Sequence, residues 1–410
     1  MKRYRYIIGT FFLLVSSMLS AQQELESYLQ TAAENNPGLK AKFNDYMASL
    51  EVAPQVNALP DPTIAFGYFI SPVETRVGPQ RFKISASQMF PWFGTLEAKE
   101  NVAIQSAKAK YEIFLEAKSK LFNEVRSTYF NIYFNQRAIE ITRENLTILS
   151  TFRKLANIKV KAGKVSAVDQ YRIEMEIGDL ENKLALLLDK QYALEVMFNN
   201  LLNIEIDQKV LTPDVLWTVD ISLTKEQVLD SIQANNHQLL VLSMQQEALT
   251  YRKELADKLG KPDFSIGLDY TIIGQGDNNL AGTDAFVFPM IGISIPLDRN
   301  KYRAMVNEVV YLQEAKEFEH TDKVNILATI LENAWKDYLD ADRRLHLYIS
   351  QLELADQSLS LLETEYVAGN KDFEEILRME RKVLKYGLEL EKARSDKQAA
   401  ISFINYLMGQ

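Results

Sequence analysis

Two stretches of this chain, residues 95–162 and 297–368, contain neither glycine nor proline. At about 1.5 Å of rise per residue, such a run makes a helix of roughly 100 Å if nothing breaks it. Few folds accommodate that. Within the runs, apolar residues recur at steps of three and four, as in Leu121, Val125, Tyr129 and Ile132, and again in Ile330, Ala334, Trp335 and Tyr338. That spacing predicts a coiled-coil-like seam rather than a helix buried all round. Gly163 and Gly369 close the two runs. Each suits a helix C-terminus, where a left-handed residue lets the chain fold back, so both are predicted hairpin tips. The returning helices are expected over 164–203 and 370–408.

The two runs are corresponding parts of a longer echo. Glu34-Asn35-Asn36-Pro37-Gly38-Leu39 returns as Ala234-Asn235-Asn236-His237-Gln238-Leu239. Pro60-Asp61, followed by Thr63-Ile64-Ala65-Phe66-Gly67-Tyr68, returns as Pro262-Asp263 and Ser265-Ile266-Gly267-Leu268-Asp269-Tyr270. Matches in the same order at a slowly growing offset point to a tandem duplication, not an array of short repeats. The expected organisation is a first repeat over 22–203, a linker over 204–223 and a second repeat over 224–410. Each repeat reads as helix, two short alternating segments, long helix and returning helix.

The alternating segments are expected near 62–70, 81–90, 264–272 and 286–296. Ile64, Phe66, Tyr68 and Ile70 alternate with Thr63, Ala65, Gly67 and Phe69. Phe82, Ile84, Ala86, Gln88 and Phe90 alternate with Arg81, Lys83, Ser85, Ser87 and Met89. Period two with one apolar face marks strands covered on one side. Soluble sandwiches share the pattern. Here each segment has the nine or ten residues that cross an outer membrane when tilted, and the alternate positions are polar or small, as a wet lumen requires. Ile64, Phe66, Ile84, Ile266 and Leu268 are therefore expected toward lipid, and Lys83, Ser85, Asp269 and Ser294 toward the lumen. Phe90, Trp92 and Phe93 form an aromatic cluster that fits an interfacial girdle, or else packs a strand–helix corner. Residues 71–80 and 273–284 would be outer turns. Four strands cannot close a barrel alone, and open edges are not tolerated in lipid; three copies would supply twelve.

Lys2, Arg3 and Arg5 precede an apolar run from Ile7 to Leu19, with Ser20-Ala21 as small residues for cleavage. This predicts a secretory signal peptide over 1–21. Without those three basic residues the formal charge of −9 becomes −12 (−9 − 3), which argues against a nucleic-acid partner. The chain has no cysteine, so disulfides, thiolate metal sites and an N-terminal lipid anchor are not expected. His237, His320 and His346 are far apart and lack metal-ligand spacing. There is no thiol nucleophile or Gly-x-Ser-x-Gly elbow, and Gly274-Gln275-Gly276 lacks the third glycine and the following helix of a phosphate cradle. No catalytic, cofactor or metal site is expected.

The duplicated plan, Asn35-Asn36-Pro37 ahead of the first strand pair and the two Ala-Gly tips together resemble the outer-membrane efflux proteins, the TolC-like channels. The resemblance covers nearly the whole chain after residue 21. It implies a mainly helical fold with a membrane β part: a homotrimer whose twelve-stranded barrel sits in the outer membrane, above a helical tunnel in the periplasm. It also implies partners, a periplasmic adaptor (membrane fusion protein) and an inner-membrane pump or secretion ATPase, with drugs, metals or proteins as cargo. A periplasmic coiled-coil adaptor is the alternative reading, since it too pairs a signal peptide with long hairpins. The family's second hairpin carries a basic residue two after the tip glycine and acids six and nine after it. Lys371 and Glu375 match the first two, but Arg378 stands at the third. The expectation is one acidic ring, Glu375, partly neutralised by Arg378, with Asp372 and Asp169 as acids of the first helical turn and Lys371 latching the closed tips.

Overall fold

The computed structural model describes residues 22–163, 166–276, 283–368 and 373–410. The Gly/Pro-free runs are single helices. After α1 (residues 22–35), α2 (Pro37–Leu50) and α3 (Val52–Asn57), the helix α4 runs unbroken over Thr95–Lys161, and α5 spans Ala167–Leu202. Then come α6 (Lys225–Asn235), α7 (His237–Leu259), α8 (Arg299–Ala368) and α9 (Phe373–Leu407). The strands are β1 (Thr63–Tyr68), β2 (Glu74–Thr75), β3 (Gly78–Phe90), β4 (Asp263–Ile273) and β5 (Ala285–Ser294). Among the described residues no helix is long and apolar enough to cross a membrane.

Three details differ from the sequence reading. The helices expected to lead into each strand pair are interrupted at Asn36 and Asn236. Pro37 starts α2, where its missing N–H costs nothing, and Asn36 Oδ1 accepts from the Leu39 N–H at 3.0 Å. Asn236 breaks its helix without a proline, in an extended conformation (φ −65°, ψ 121°). A second break separates α2 from α3, because Pro54 cannot donate back along the helix. Finally, there are five strands rather than four. The stretch expected to be a plain outer turn holds β2, which pairs with the start of β3. Gly78 makes this possible: at φ +139°, a Cβ there would sit 1.8 Å from the Gly274 carbonyl oxygen. Only glycine allows so close an approach.

The chain forms two compact units, and each draws on both halves of the sequence. The first contains the described residues up to Ala41, together with Leu115–Asn236 and Val324–Gln410. Its core near the hairpin ends joins all four long helices. Leu149, Phe152 and Ala156 of α4 meet Ile173, Ile177 and Leu180 of α5, Leu359 and Tyr366 of α8, and Phe373, Ile376, Leu377 and Leu384 of α9. Each such large side chain contributes about 1.5–3 kcal/mol by leaving water. Residues 204–223 carry no helix or strand but are firmly tied down. Val210, Leu216 and Trp217 are buried, and Asn199 Nδ2 donates to the carbonyls of Ile206 and Gln208. The buried Lys397 ammonium bonds Asp220 of this stretch and Asp342 of α8, the latter at 2.8 Å.

The second unit, Lys42–Phe114 with His237–Lys323, holds an antiparallel sheet in the order β1-β3-β4-β5. The outer edges of β1 and β5 have no strand partner among the described residues.

Candidate functional site

In the second unit the register settles which side chains share a face, because directly opposed residues of an antiparallel pair point the same way. Phe66, Ile84, Tyr270 and Phe286 form one row across the four strands. Ile64, Ala86 and Leu268 form the next, and Gln88, Ile266 and Ile291 another. This face is apolar and open, with Phe66 68% and Ile291 70% exposed. On the other face lie Ser85 opposite Asp269, Lys83 opposite Thr271, and Ser294 opposite Asp263. Lys83 Nζ meets Asp269 Oδ2 at 2.6 Å, a diagonal cross-strand ion pair.

Strand β5 changes phase partway. Its C-terminal residues Ile291 and Ile293 oppose Ile266 and Phe264 on the apolar face, yet Val287 opposes Asp269 on the polar one. The register shift between Gly267 and Asp269 places two residues of β5 against one of β4 and moves Phe286 to the apolar face. Strict alternation in the sequence cannot show this.

At one end of the sheet, Phe90 opposes Phe264, and Trp92 stacks on Phe264 with centroids 5.8 Å apart. Phe93 touches the same ring at 6.1 Å and is 78% exposed. The Trp92 backbone N–H donates to Asp263 Oδ1 at 3.0 Å, which fixes the corner before α4. The cluster packs the strand–helix corner, and the Phe93 ring stays exposed there.

In the first unit, α4 ends two residues before Gly163, whose φ of +66° is the left-handed conformation of a helix C-terminus. Ser166 caps α5 by accepting from the Val168 N–H, and Asp169 lies in its first turn. Glu374 and Glu375 occupy the first turn of α9, where the helix dipole favours acids. Arg378 Nη2 donates to Glu375 Oε2 at 2.5 Å. Gly369, Lys371 and Asp372 lie outside the described residues.

Other contacts here have no local sequence signal. Arg172 of α5 lies 3.7 Å from Asp169 and 3.1 Å from Glu374 of α9. In the reverse sense, Arg381 of α9 meets Glu176 of α5 at 2.6 Å. The Lys159 ammonium sits 3.5 Å above the Tyr366 ring and donates to the Tyr366 carbonyl. Only the Asp169–Arg172 spacing, three residues on one helix, hints at any of these. Among the described residues no group of three or more His, Asp or Glu side chains could hold a metal ion.

No family model matches this sequence, and no curated protein matches it either. Solved structures do. VceC, an outer membrane protein of Vibrio cholerae, superimposes with a TM-score of 0.78 at 13% identity, over 96% of this chain and 98% of its own. The outer-membrane channel OprN gives 0.78 at 17% identity, over 94% and 90%. The MtrE outer membrane channel of Neisseria gonorrhoeae, in its open state, gives 0.76 at 15% identity, over 94% and 89%. The chain therefore has the fold of these outer-membrane channels along nearly its whole length.

Proposed function

We propose that the protein is an outer-membrane channel, the passive exit duct of an export assembly. The observation that carries this reading is the sheet: an apolar face open to the surroundings, a polar face opposite, and two edges without strand partners among the described residues. An exposed apolar face of this extent needs lipid or protein against it, and unpaired edges in lipid need another strand. Three copies joined β1 to β5 satisfy both needs, with twelve strands in the ring (3 × 4) and Lys83, Ser85, Asp269 and Ser294 lining its interior. The fold shared with VceC, OprN and MtrE supports the same reading, and nothing in the chain favours a coiled-coil adaptor over it.

On this reading the protein resides in the outer membrane of a Gram-negative cell. It assembles with a periplasmic adaptor and an inner-membrane pump or ATPase, and does no chemistry of its own. Asp169, Glu375 and Arg378 lie at the hairpin ends, with Lys371 and Asp372 beside them in sequence, as a charged ring at the periplasmic mouth. Extraction from outer membranes in mild detergent tests the proposal. The expected product is a heat-sensitive trimer that conducts ions in planar bilayers. A stable monomer without conductance overturns it.

A further inference from the structure

Among the described residues of the first unit three acids are buried, Glu195, Glu380 and Glu391. Two have cationic neighbours: Lys209 for Glu195 at 3.0 Å, and Arg394 for Glu391 at 3.8 Å. Glu380 has no ion-pair partner among the described residues. It is 2% exposed and sits on α9 between Leu377 and Leu384, inside the core that joins the two hairpins. Its Oε2 accepts one hydrogen bond, from Asn145 Nδ2 of α4 at 2.9 Å. Its Oε1 has no partner among the described residues.

The acids near it make ionisation harder still, against the single hydrogen bond from Asn145 that favours it. From α8 come Asp356 and Glu363, both of like charge. From α4 comes the neutral amide of Asn145, flanked by Ile141 and Leu149 of the same core. Arg381, the next residue along α9, is held by Glu176 of α5. A carboxylate with one hydrogen bond, apolar neighbours and nearby acids favours its neutral form. Burial accordingly pushes the Glu380 carboxyl up to about 7, against an ordinary 4.5.

We propose that Glu380 is a proton-sensitive joint between the α4/α5 and α8/α9 hairpins. Neutral, it stays in the seam against Asn145; ionised, it draws water in and loosens α9 from α4 near the hairpin ends. The group is harder to ionise folded than unfolded, so the seam is tightest below 4.5 and loosens as pH rises to about 7. Above that it changes no further. Across the window the local opening equilibrium can rise by up to about tenfold per pH unit.

Hydrogen exchange on the detergent-solubilised full-length protein tests this, with intrinsic rates corrected for pH. Peptides covering residues 141–149 and 376–384 should open about 10- to 100-fold more at about pH 8 than at about pH 5. Peptides from β3 should not change. Glu380→Gln keeps the shape and the Asn145 bond but cannot ionise, so its profile should be flat. A flat wild-type profile overturns the proposal, as does an unchanged slope in Glu380→Gln. Should that variant fail to fold, Asn145→Leu serves instead. It removes the one donor to the ionised form and must move the midpoint upward; an unmoved midpoint is equally fatal. None of these readouts depends on conduction, so they stand apart from the channel assignment.

Discussion

The side-chain amide of Asn236 donates to the carbonyl oxygen of Leu407, the last residue of α9, at 2.9 Å. Asn36 makes the same bond to Leu201 near the end of α5, also at 2.9 Å. In each case a helix is interrupted at an asparagine, and the asparagine satisfies a carbonyl that the end of another helix leaves open. One stretch of sequence thus explains both the break and its anchor.

Asn236 is buried, whereas Asn36 is partly open. Replacing a buried donor leaves the carbonyl without water as well as without a partner, at about 1–3 kcal/mol. Asn236→Ala should therefore lower the thermal midpoint of the purified protein clearly, and Asn36→Ala by less. Midpoints unchanged from wild type in both variants would mean that these bonds do not hold the helix ends.

Much of the fold was legible, and the reason is physical. Runs without glycine or proline admit little besides helix, and period-two alternation admits little besides strand. The long helices α4 and α8 follow closely from the sequence. The interruption at Asn36 has a local signal in Pro37, but the one at Asn236 has no proline beside it and is tied to the distant Leu407 carbonyl. The phase change in β5 is hidden for a similar reason: Val287 and Ile291 look alike in the sequence, and the pairing with β4 puts them on opposite faces. At the hairpin ends, Glu375 and Arg378 were readable as neighbours on one helix. Arg172 with Glu374, and Arg381 with Glu176, depend on how α5 and α9 pack and leave no local trace.

The β5 phase gives a sharp test of the membrane reading. Arg at a lipid-facing, mid-membrane position costs about 2–4 kcal/mol, and far less toward a wet lumen. Phe286→Arg and Phe66→Arg should impair assembly in the outer membrane. Val287→Arg, one residue from Phe286, should assemble almost normally beside Asp269. Comparing heat-sensitive trimer yields reads the difference. If Val287→Arg is the more damaging, β5 is regular and the register shift is wrong.

Lys397 makes a separate prediction about the irregular stretch 204–223. Its buried ammonium joins Asp220 and Asp342, and hydrogen bonds between charged groups are worth about 1.5–3 kcal/mol where water is excluded. Asp220 is itself largely exposed, so the lower end of that range applies. Lys397→Met should free the stretch and speed trypsin cleavage after Lys209, while the helices stay resistant. Unchanged cleavage would show that Trp217 and Leu216 hold the segment without the ion pairs.

The hairpin ends decide whether the charges there are a gate or only helix caps. Glu375 and Arg378 pair at 2.5 Å on an exposed helix face. Opposite changes to the pair should move ion selectivity in opposite directions. Glu375→Gln removes the acid of the proposed ring and should lower cation preference in planar bilayers. Arg378→Gln removes its neutralising partner and should raise it. Both effects should shrink in high salt, since exposed charges more than about 8 Å apart are screened at physiological ionic strength. Arg172 tests the α5–α9 contact rather than the ring. Arg172→Glu sets a third acid against Asp169 and Glu374, so the α5–α9 contact changes from attraction to repulsion. Exposed pairs contribute only about 0–1 kcal/mol each. The expected result is therefore a larger open fraction in single-channel records, not unfolding. Adding Glu374→Arg to Arg172→Glu restores opposite charges and should return the open fraction toward wild type. If selectivity and open fraction stay fixed in all four proteins, these acids only complement the helix dipole and the constriction lies elsewhere.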